Sequence, residues 1–220
     1  WLFALICTVF AFWQGPLPVI SWLPRLRSAL HLPWRIKITG WTLLLAASAL
    51  LVIFFRVYRL EQVPPEMVSD QAEKLLDVWD VLNGQYSIFF PRNTGREGFQ
   101  MYLTAAVVKL FGTGISFMSL KIGTVLCGLL TLPFIYGIGK EVGGRRVALF
   151  ALLLAGVAYW PNVISRVGLR FTLYAFFTAP TLYYLIRGLR TRSRNDFLLA
   201  GLFLALGLHG YSPFRIVPLV

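Results

Sequence analysis

Long uncharged runs alternate with short basic segments along most of this 220-residue chain. Five such runs have 16–19 residues: Ile38–Phe55, Ile122–Gly139, Val147–Ser165, Phe171–Ile186 and Phe197–Phe214. At 1.5 Å per residue, an 18-residue helix covers roughly 27 Å, close to the hydrocarbon thickness of a bilayer. Because backbone polar groups in lipid must bond within their own segment, these runs predict membrane-spanning helices.

Two further apolar stretches are less regular. Trp1–Pro24 has no charge, but three prolines interrupt its second half. Gly98–Leu120 is divided by Lys109 into two runs of 11 residues, a length typical of interfacial or re-entrant segments. We therefore predict that Gly98–Phe111 is a helix lying in the membrane interface.

The composition is typical of an integral membrane protein. Hydrophobic residues make up 57% of the chain and the mean hydropathy is +0.69, which is more apolar than a soluble domain. In a soluble protein, a formal net charge of +12 would suggest that the protein binds nucleic acid. No segment of this sequence is polar enough to carry a nucleic-acid-binding face. We predict no nucleic-acid partner and interpret the Lys and Arg residues as topology signals and headgroup contacts.

The basic segments predict the side of the membrane that each loop faces. If Gly98–Phe111 does not span, then Arg25–Lys37, Lys140–Arg146 and Arg187–Arg194 share one side and hold 11 of the 21 Lys and Arg residues. The positive-inside rule makes that side cytoplasmic, with a tight turn at Gly143-Gly144. If that interfacial segment spanned instead, Arg187–Arg194 would face outside.

These segments predict an all-α fold, a polytopic transmembrane helix bundle with amphipathic juxtamembrane helices in its first outer loop. Residues 1–37 are expected to form a partial N-terminal apolar segment and a basic cytoplasmic loop. Residues 38–220 are expected to form a membrane module with its outer loop at 58–121. Because the sequence starts at Trp1 without Met and stops at Val220 in an apolar run, we expect a fragment of a longer protein.

Seven of the nine acidic residues are concentrated in that outer loop. Ser69 or Asp70 is a good helix N-cap, and Asp70 with Glu73 has the spacing of a capping box. We predict a helix from there to about Leu82, with Asn83-Gly84 as its end.

The predicted helix has an apolar and a polar side. Four apolar residues form a stripe typical of a helix lying on a membrane surface: Leu75, Leu76, Trp79 and Leu82. The polar residues Glu73, Lys74, Asp77 and Asp80 are expected to form a solvated face. Asp70 has two interpretations: it is a helix cap and no more, or it is a carboxylate placed for chemistry.

A second polar segment follows and is dense in hydrogen-bond donors. Arg92, Asn93, Arg96 and Glu97 could clamp a sugar or a phosphate, since guanidinium groups match the oxygens of such ligands. The alternative is an ordinary charged loop at headgroup depth.

Several short motifs occur in a characteristic order. They are Val68–Glu73 (Val-Ser-Asp-Gln-Ala-Glu), Gly84, Asn93–Glu97 (Asn-Thr-Gly-Arg-Glu), Leu110–Gly112 (Leu-Phe-Gly), Arg166–Arg170 and Gly210–Arg215 (Gly-Tyr-Ser-Pro-Phe-Arg). In this order they resemble glycosyltransferase family 39, which includes protein O-mannosyltransferases and lipid A aminoarabinose transferases. The resemblance covers roughly Trp41 to Val220.

The resemblance implies a C-type, mannosyltransferase-like membrane glycosyltransferase in a bacterial-type plasma membrane. It would take a sugar from a polyprenyl-phosphate donor and transfer it to an extracytoplasmic acceptor, which is a protein, lipid or glycan. Residues 38–220 would then be the N-terminal part of the catalytic membrane module. Asp70 matches the family's first-loop aspartate, a base or acceptor-positioning group.

The sequence departs from the family pattern at two points. The family often has Asp-Glu where this chain has Asp70-Gln71, and some members carry a second Asp at a later span end, where Arg166–Arg170 has none. A two-carboxylate metal site is therefore not supported, although a divalent metal stays open. His31 and His209 also lack partners at metal-site spacing, so no cofactor is assigned.

The implied reaction requires a base for the acceptor hydroxyl and cations for the leaving phosphate. Asp70 is the candidate base. Arg166 and Arg170, four residues apart at a predicted span end, are expected to share one helical face and bind the donor phosphate. Arg215, after Tyr211, is a third candidate, and Tyr211 is expected to bind substrate. The alternative for the arginines is snorkelling towards lipid headgroups.

Two other functions fit parts of the pattern. A non-catalytic transmembrane subunit of a larger membrane complex would also be a bundle of apolar helices. A transporter is disfavoured, because the carboxylates lie in a loop rather than on broken helices at the membrane midplane.

Overall fold

The computed structural model describes residues 2–15, 38–92 and 95–219. Eight α-helices occur in these ranges: α1 (Leu2–Phe12), α2 (Gly40–Val57), α3 (Ser69–Leu82), α4 (Phe99–Phe111), α5 (Phe117–Val157), α6 (Tyr159–Arg166), α7 (Phe171–Thr191) and α8 (Arg194–Gly207). A short antiparallel hairpin, β1 (Phe89–Phe90) and β2 (Arg96–Glu97), precedes α4, and a 3₁₀ helix (Ser212–Leu219) follows α8. The fold is thus mainly helical, as predicted. Arg25–Lys37, which includes His31, and Asn93 lie outside the described ranges.

The long helix α5 consists of two arms. Gly143 and Gly144 have non-helical backbone angles, and Gly144 has a φ of +78°, which glycine adopts without a steric penalty. A Cβ added at Gly139 would lie 2.7 Å from the Cα of Ala148, so the two arms pack closely against each other. The predicted tight turn at Gly143-Gly144 is therefore present.

Within the described ranges, two helices are long and apolar enough to cross a membrane by length and composition, α2 and α5. Two predicted 18- and 19-residue spans are shorter than expected. Val147–Ser165 is interrupted at Ala158, because Pro161 has no N–H to donate to the carbonyl four residues earlier. Phe197–Phe214 is also broken, since α8 ends at Gly207.

Three apolar clusters hold the helices together. In the first, Leu173 and Phe177 of α7 pack with Cys127 of α5 and Phe214 of the 3₁₀ helix. A second, around Val52, joins α2 to both arms of α5. The third lies under the outer segment, where α3, β1 and α4 meet, and consists of Val78, Val81, Phe90, Met101 and Ala105. The outer segment therefore has its own small core.

Much of α2 faces away from the rest of the protein. Leu43, Leu50 and Phe54 are each about half exposed or more, at 61%, 68% and 52%. A continuous apolar surface of this kind is typical of a membrane or protein contact.

Candidate functional site

The start of α3 positions Asp70, but not as the sequence pattern predicted. The N-cap is Val68, and the backbone N–H of Val68 donates to Gln71 Oε1 at 2.7 Å. Prediction of Ser69 or Asp70 as the cap was therefore wrong by one or two positions, and Gln71 replaces Glu73 as the residue that reaches back. The predicted end at Leu82 is confirmed.

The polar side of α3 is turned towards the protein, which corrects the predicted solvated face. Lys74 is 2% exposed and Asp77 is fully buried, whereas Leu76 and Trp79 are more than half exposed. The apolar stripe is therefore split, because Leu75 is buried. Lys74 and Asp77 therefore face the protein together with the buried apolar residues of α3, whereas Leu76 and Trp79 point outward.

Strand β2 sends two neighbouring charged side chains to opposite sides, as successive strand residues do. Arg96 Nη2 donates to Asp70 Oδ1 at 3.0 Å and to Glu73 Oε2 at 3.3 Å. Arg96 Nη1 also donates to the backbone carbonyl of Asp70 at 3.2 Å. Because the Arg96 side chain is 3% exposed, this ion pair holds the first turn of α3 against the hairpin.

Glu97 makes the contacts on the other side of β2. Its Oε2 accepts from Arg170 Nη1 at 2.6 Å, and its Oε1 accepts from Ser212 Oγ at 2.7 Å. Arg215 Nη2 lies 3.9 Å from Glu97 Oε1. Glu97 thereby ties the hairpin to the start of α7 and to the 3₁₀ helix.

These contacts surround a small polar cavity of about 180 Å³. Its walls are Asp70, Lys74, Arg96, Leu169, Arg170, Phe171 and Tyr211. The Arg170 guanidinium also lies over the Tyr211 ring, 5.5 Å from its centroid. One carboxylate therefore shares a cavity with three cationic side chains.

Two buried glutamine side chains fix the turn between α6 and α7. Gln71 Nε2 donates to the carbonyl of Val167 at 3.1 Å, and Gln100 Nε2 donates to that of Gly168 at 2.8 Å. A Glu at position 71 has no N–H for the first of these bonds. The amide at Gln71 therefore has a structural role, which accounts for its presence beside Asp70.

The structure separates Arg166 from Arg170. Helix α6 ends at Arg166, Gly168 has a φ of +72°, and α7 begins at Phe171, so the expected shared helical face is absent. The Arg166 guanidinium instead donates to four backbone carbonyls around the end of α2, those of Phe55, Tyr58, Arg59 and Val63, at 2.7–3.3 Å. Of Arg166 and Arg170, only Arg170 lines the cavity.

Arg92 also lies away from the cavity. Its guanidinium pairs with Asp77 Oδ1 at 2.7 Å and with Asp80 Oδ2. Burial raises the pKa of the Asp77 carboxyl, against the lowering effect of its hydrogen bond to Arg92. Arg92 therefore neutralises the buried polar side of α3.

Lys74 is a cavity residue that the sequence reasoning missed. Its Nζ donates to the backbone carbonyl of Asp70 at 3.2 Å. Burial, followed by repulsion from Arg96, lowers the pKa of Lys74 to about 8. The four-residue spacing from Asp70 was a usable signal, because it places both side chains on one face of α3.

The described residues that line the cavity do not form a metal-binding site. Throughout the described parts of the chain, no three His, Cys, Asp or Glu side chains are grouped so that they could hold a metal ion.

Comparison with protein-family models agrees with the family resemblance that the order of motifs indicates. No curated protein and no solved structure matches the chain. The family model for dolichyl-phosphate-mannose-protein mannosyltransferase matches residues 99–219, more than half of the 220 residues. The match includes the wall formed by Arg170 and Tyr211, whereas Asp70 and Arg96 precede it. The chain therefore belongs to the dolichyl-phosphate-mannose-protein mannosyltransferase family, in agreement with its resemblance to glycosyltransferase family 39.

Proposed function

We propose that this chain is part of a polytopic membrane glycosyltransferase that moves a sugar from a polyprenyl-phosphate donor to an extracytoplasmic acceptor. The observation that carries the proposal is the cavity in which Asp70 faces Lys74, Arg96 and Arg170. A base beside a group of cations is what displacement of a lipid phosphate from a sugar requires. The membrane is proposed to be of the bacterial plasma-membrane type.

Asp70 is proposed as the general base. Its side chain is 46% exposed, so an acceptor hydroxyl can reach it, and Arg96 holds one of its oxygens. Asp70 takes the hydroxyl proton while the acceptor oxygen attacks the anomeric carbon. The bond from that carbon to the phosphate oxygen breaks, and the polyprenyl phosphate leaves with the bonding electrons. A single displacement inverts the anomeric centre.

Cationic side chains are proposed to stabilise the leaving phosphate. Arg170 is fixed by Glu97 and Tyr211, and its planar fork suits two phosphate oxygens. Lys74 adds a compact charge from α3. Arg215, with a side chain 70% exposed near Glu97, is proposed to contribute at the rim.

The other residues predicted to bind the donor or the acceptor differ in the contacts that support a binding role. Tyr211 lines the cavity and is proposed to contact the sugar. Arg166 and Arg92 are left out of the proposed site, because their guanidinium groups are bound to backbone carbonyls and to Asp77 and Asp80. Binding of substrate by Asn93 stays a prediction.

The test is the substitution Asp70→Asn in the full-length protein. We expect transfer of labelled sugar from a polyprenyl-phosphate donor to fall by about 10²–10⁴-fold, since the amide cannot accept the proton. Asp80→Asn is the matched control, because Asp80 lies on the same helix but pairs with Arg92 outside the cavity. It should retain near-normal transfer.

Two outcomes would contradict the proposal. Normal transfer by the Asp70→Asn protein would remove Asp70 from the mechanism. No transfer by the wild-type full-length protein with any polyprenyl-phosphate sugar would favour a non-catalytic subunit of a membrane complex.

A further inference from the structure

A second cavity, of about 270 Å³, lies inside the helix bundle. It is enclosed by α2, α5, α6 and α7, and most of its walls are apolar, including Leu132, Ile135 and Ile164. Among the described residues that line it, the only charged one is Arg56, from the last turn of α2. This cavity and the one beside Asp70 are separate, but they are neighbours because Phe171 lines both.

Arg56 is a buried cation without a carboxylate partner. The residue is 3% exposed, and its Nη2 donates to the carbonyl of Ala155 at 3.3 Å. Its Nε is buried and has no hydrogen-bond partner among the described residues. All nine acidic residues lie within the described ranges, and none of the ion pairs formed there includes Arg56.

Two other cations near the end of α2, buried Lys121 and partly exposed Arg166, make more hydrogen bonds than Arg56 does. Lys121 Nζ donates to three backbone carbonyls, those of Leu60, Glu61 and Pro64, at 2.6–3.2 Å. Arg166 donates to four carbonyls of the same region. A buried charge without compensation is unfavourable, so the sparsely bonded Arg56 guanidinium is suited to an anionic partner.

The surroundings of Arg56 restrict the kind of anion. The walls offer apolar surface that suits a hydrocarbon chain, and Arg56 supplies one cationic fork that suits phosphate oxygens. Trp160, on α6, lines the cavity and is 68% exposed, which places the opening beside a side chain typical of the membrane interface.

We propose that the Arg56 cavity binds the phosphate headgroup of an anionic lipid, whose hydrocarbon chain lies along the apolar walls. The headgroup neutralises the guanidinium, and the lipid joins α2 to the pair formed by α6 and α7. Binding involves no covalent step. The proposal is independent of the transfer reaction, because it concerns a cavity that contains neither Asp70 nor Arg170.

The test measures thermal unfolding of the full-length protein in an uncharged detergent. Short-chain phosphatidic acid, phosphatidylcholine with the same chains and inorganic phosphate are added in parallel. We expect phosphatidic acid alone to raise the Tm, and Arg56→Gln to weaken its apparent affinity by about tenfold or more. Arg190→Gln is the control and keeps the full shift, because Arg190 is an exposed arginine paired with Glu141.

A second variant leaves Arg56 in place. Ala175→Leu adds volume at an exposed position of the cavity wall and should also reduce the Tm shift. An equal shift in wild type and Arg56→Gln would overturn the proposal, as would no shift in wild type. An equal shift with inorganic phosphate would replace the lipid with a free anion and would also overturn it.

Discussion

At the scale of single residues, Lys74 is the least expected feature of the cavity. It is almost completely buried, and Arg96 and Arg170 both lie close enough to lower its pKa further. Carboxylates pair with Arg96 and Arg170, whereas the Lys74 Nζ donates to a backbone carbonyl. We therefore expect Lys74 to be the cation of the cavity that gains most from a bound phosphate.

The lowered pKa of Lys74, about 8, predicts a pH dependence. Lys74 carries its charge below that pH and loses it above, so kcat/KM for the lipid-phosphate donor should fall as the pH rises through about 8. Lys74→Met should lower kcat/KM by about 10–100-fold at neutral pH and abolish the fall in kcat/KM near pH 8.

Lys109→Met is the matched control for that prediction, because Lys109 is exposed on α4, outside the cavity. Its pH profile should follow that of the wild type. If kcat/KM of the Lys74→Met protein still falls over the same pH range, the ionisation belongs to another group.

The sequence allowed some residues of the site to be predicted and not others. Asp70 and Arg170 could be named from their motifs and their types. The separation of Arg166 could not, because its helix ends two residues before Gly168, which has a positive φ. Which carbonyls an arginine reaches depends on α2, more than 100 residues away.

At the scale of secondary-structure elements, strand β2 is the part that connects the site. Two residues are enough to bind α3 on one side and α7 with the 3₁₀ helix on the other, through Arg96 and Glu97. The position of Arg170 in the cavity therefore depends on a hairpin earlier in the chain.

Glu97→Gln tests this dependence. The substitution removes the charge that compensates Arg170, and the Glu97 side chain is only 6% exposed. We expect the free energy of unfolding to fall by about 3 kcal/mol, as for other buried ion pairs that lose one partner. Thermal unfolding followed by tryptophan fluorescence measures the loss.

Glu141→Gln is the control, since its partner Arg190 has a side chain that is 62% exposed. Glu141 itself is 10% exposed, but Arg190 stays solvated when it loses its partner, so this variant should lose less stability than Glu97→Gln. Equal effects of the two substitutions would contradict a connecting role for Glu97.

Elements were predicted better than their environments. The range of α3 was predicted to within a residue or two, although its N-cap is Val68 rather than Ser69 or Asp70. Its buried polar side was not predicted, because the residues that cover Lys74 and Asp77 come from the hairpin and from the turn before α7. Periodicity identifies two sides of a helix, but the side that faces the protein is decided by distant segments.

At the scale of the whole molecule, the apolar runs identified the helical class and the turn in α5, but not the breaks at Ala158 and Gly207. The interfacial interpretation of α4 determines the sidedness of everything that follows. It predicts that Gln85 faces outside and Arg194 faces the cytoplasm.

Cysteine labelling measures this sidedness. In a protein with Cys7 and Cys127 replaced by serine, a membrane-impermeant maleimide should label Gln85→Cys in intact cells. Arg194→Cys should be labelled only after the membrane is permeabilised. Both positions are exposed, so the difference reports the side. Labelling of both from outside would mean that α4 spans the membrane.

The hydrogen bonds from Gln71 and Gln100 to the turn before α7 have a consequence for how such an enzyme diversifies. Both amides recognise main-chain oxygens, which every amino acid provides. The neighbouring wall residue Leu169 is thus free of these two bonds and can change in size over evolution while Arg170 keeps its place. The shape of the cavity can therefore change without moving Arg170, the residue proposed to stabilise the leaving phosphate.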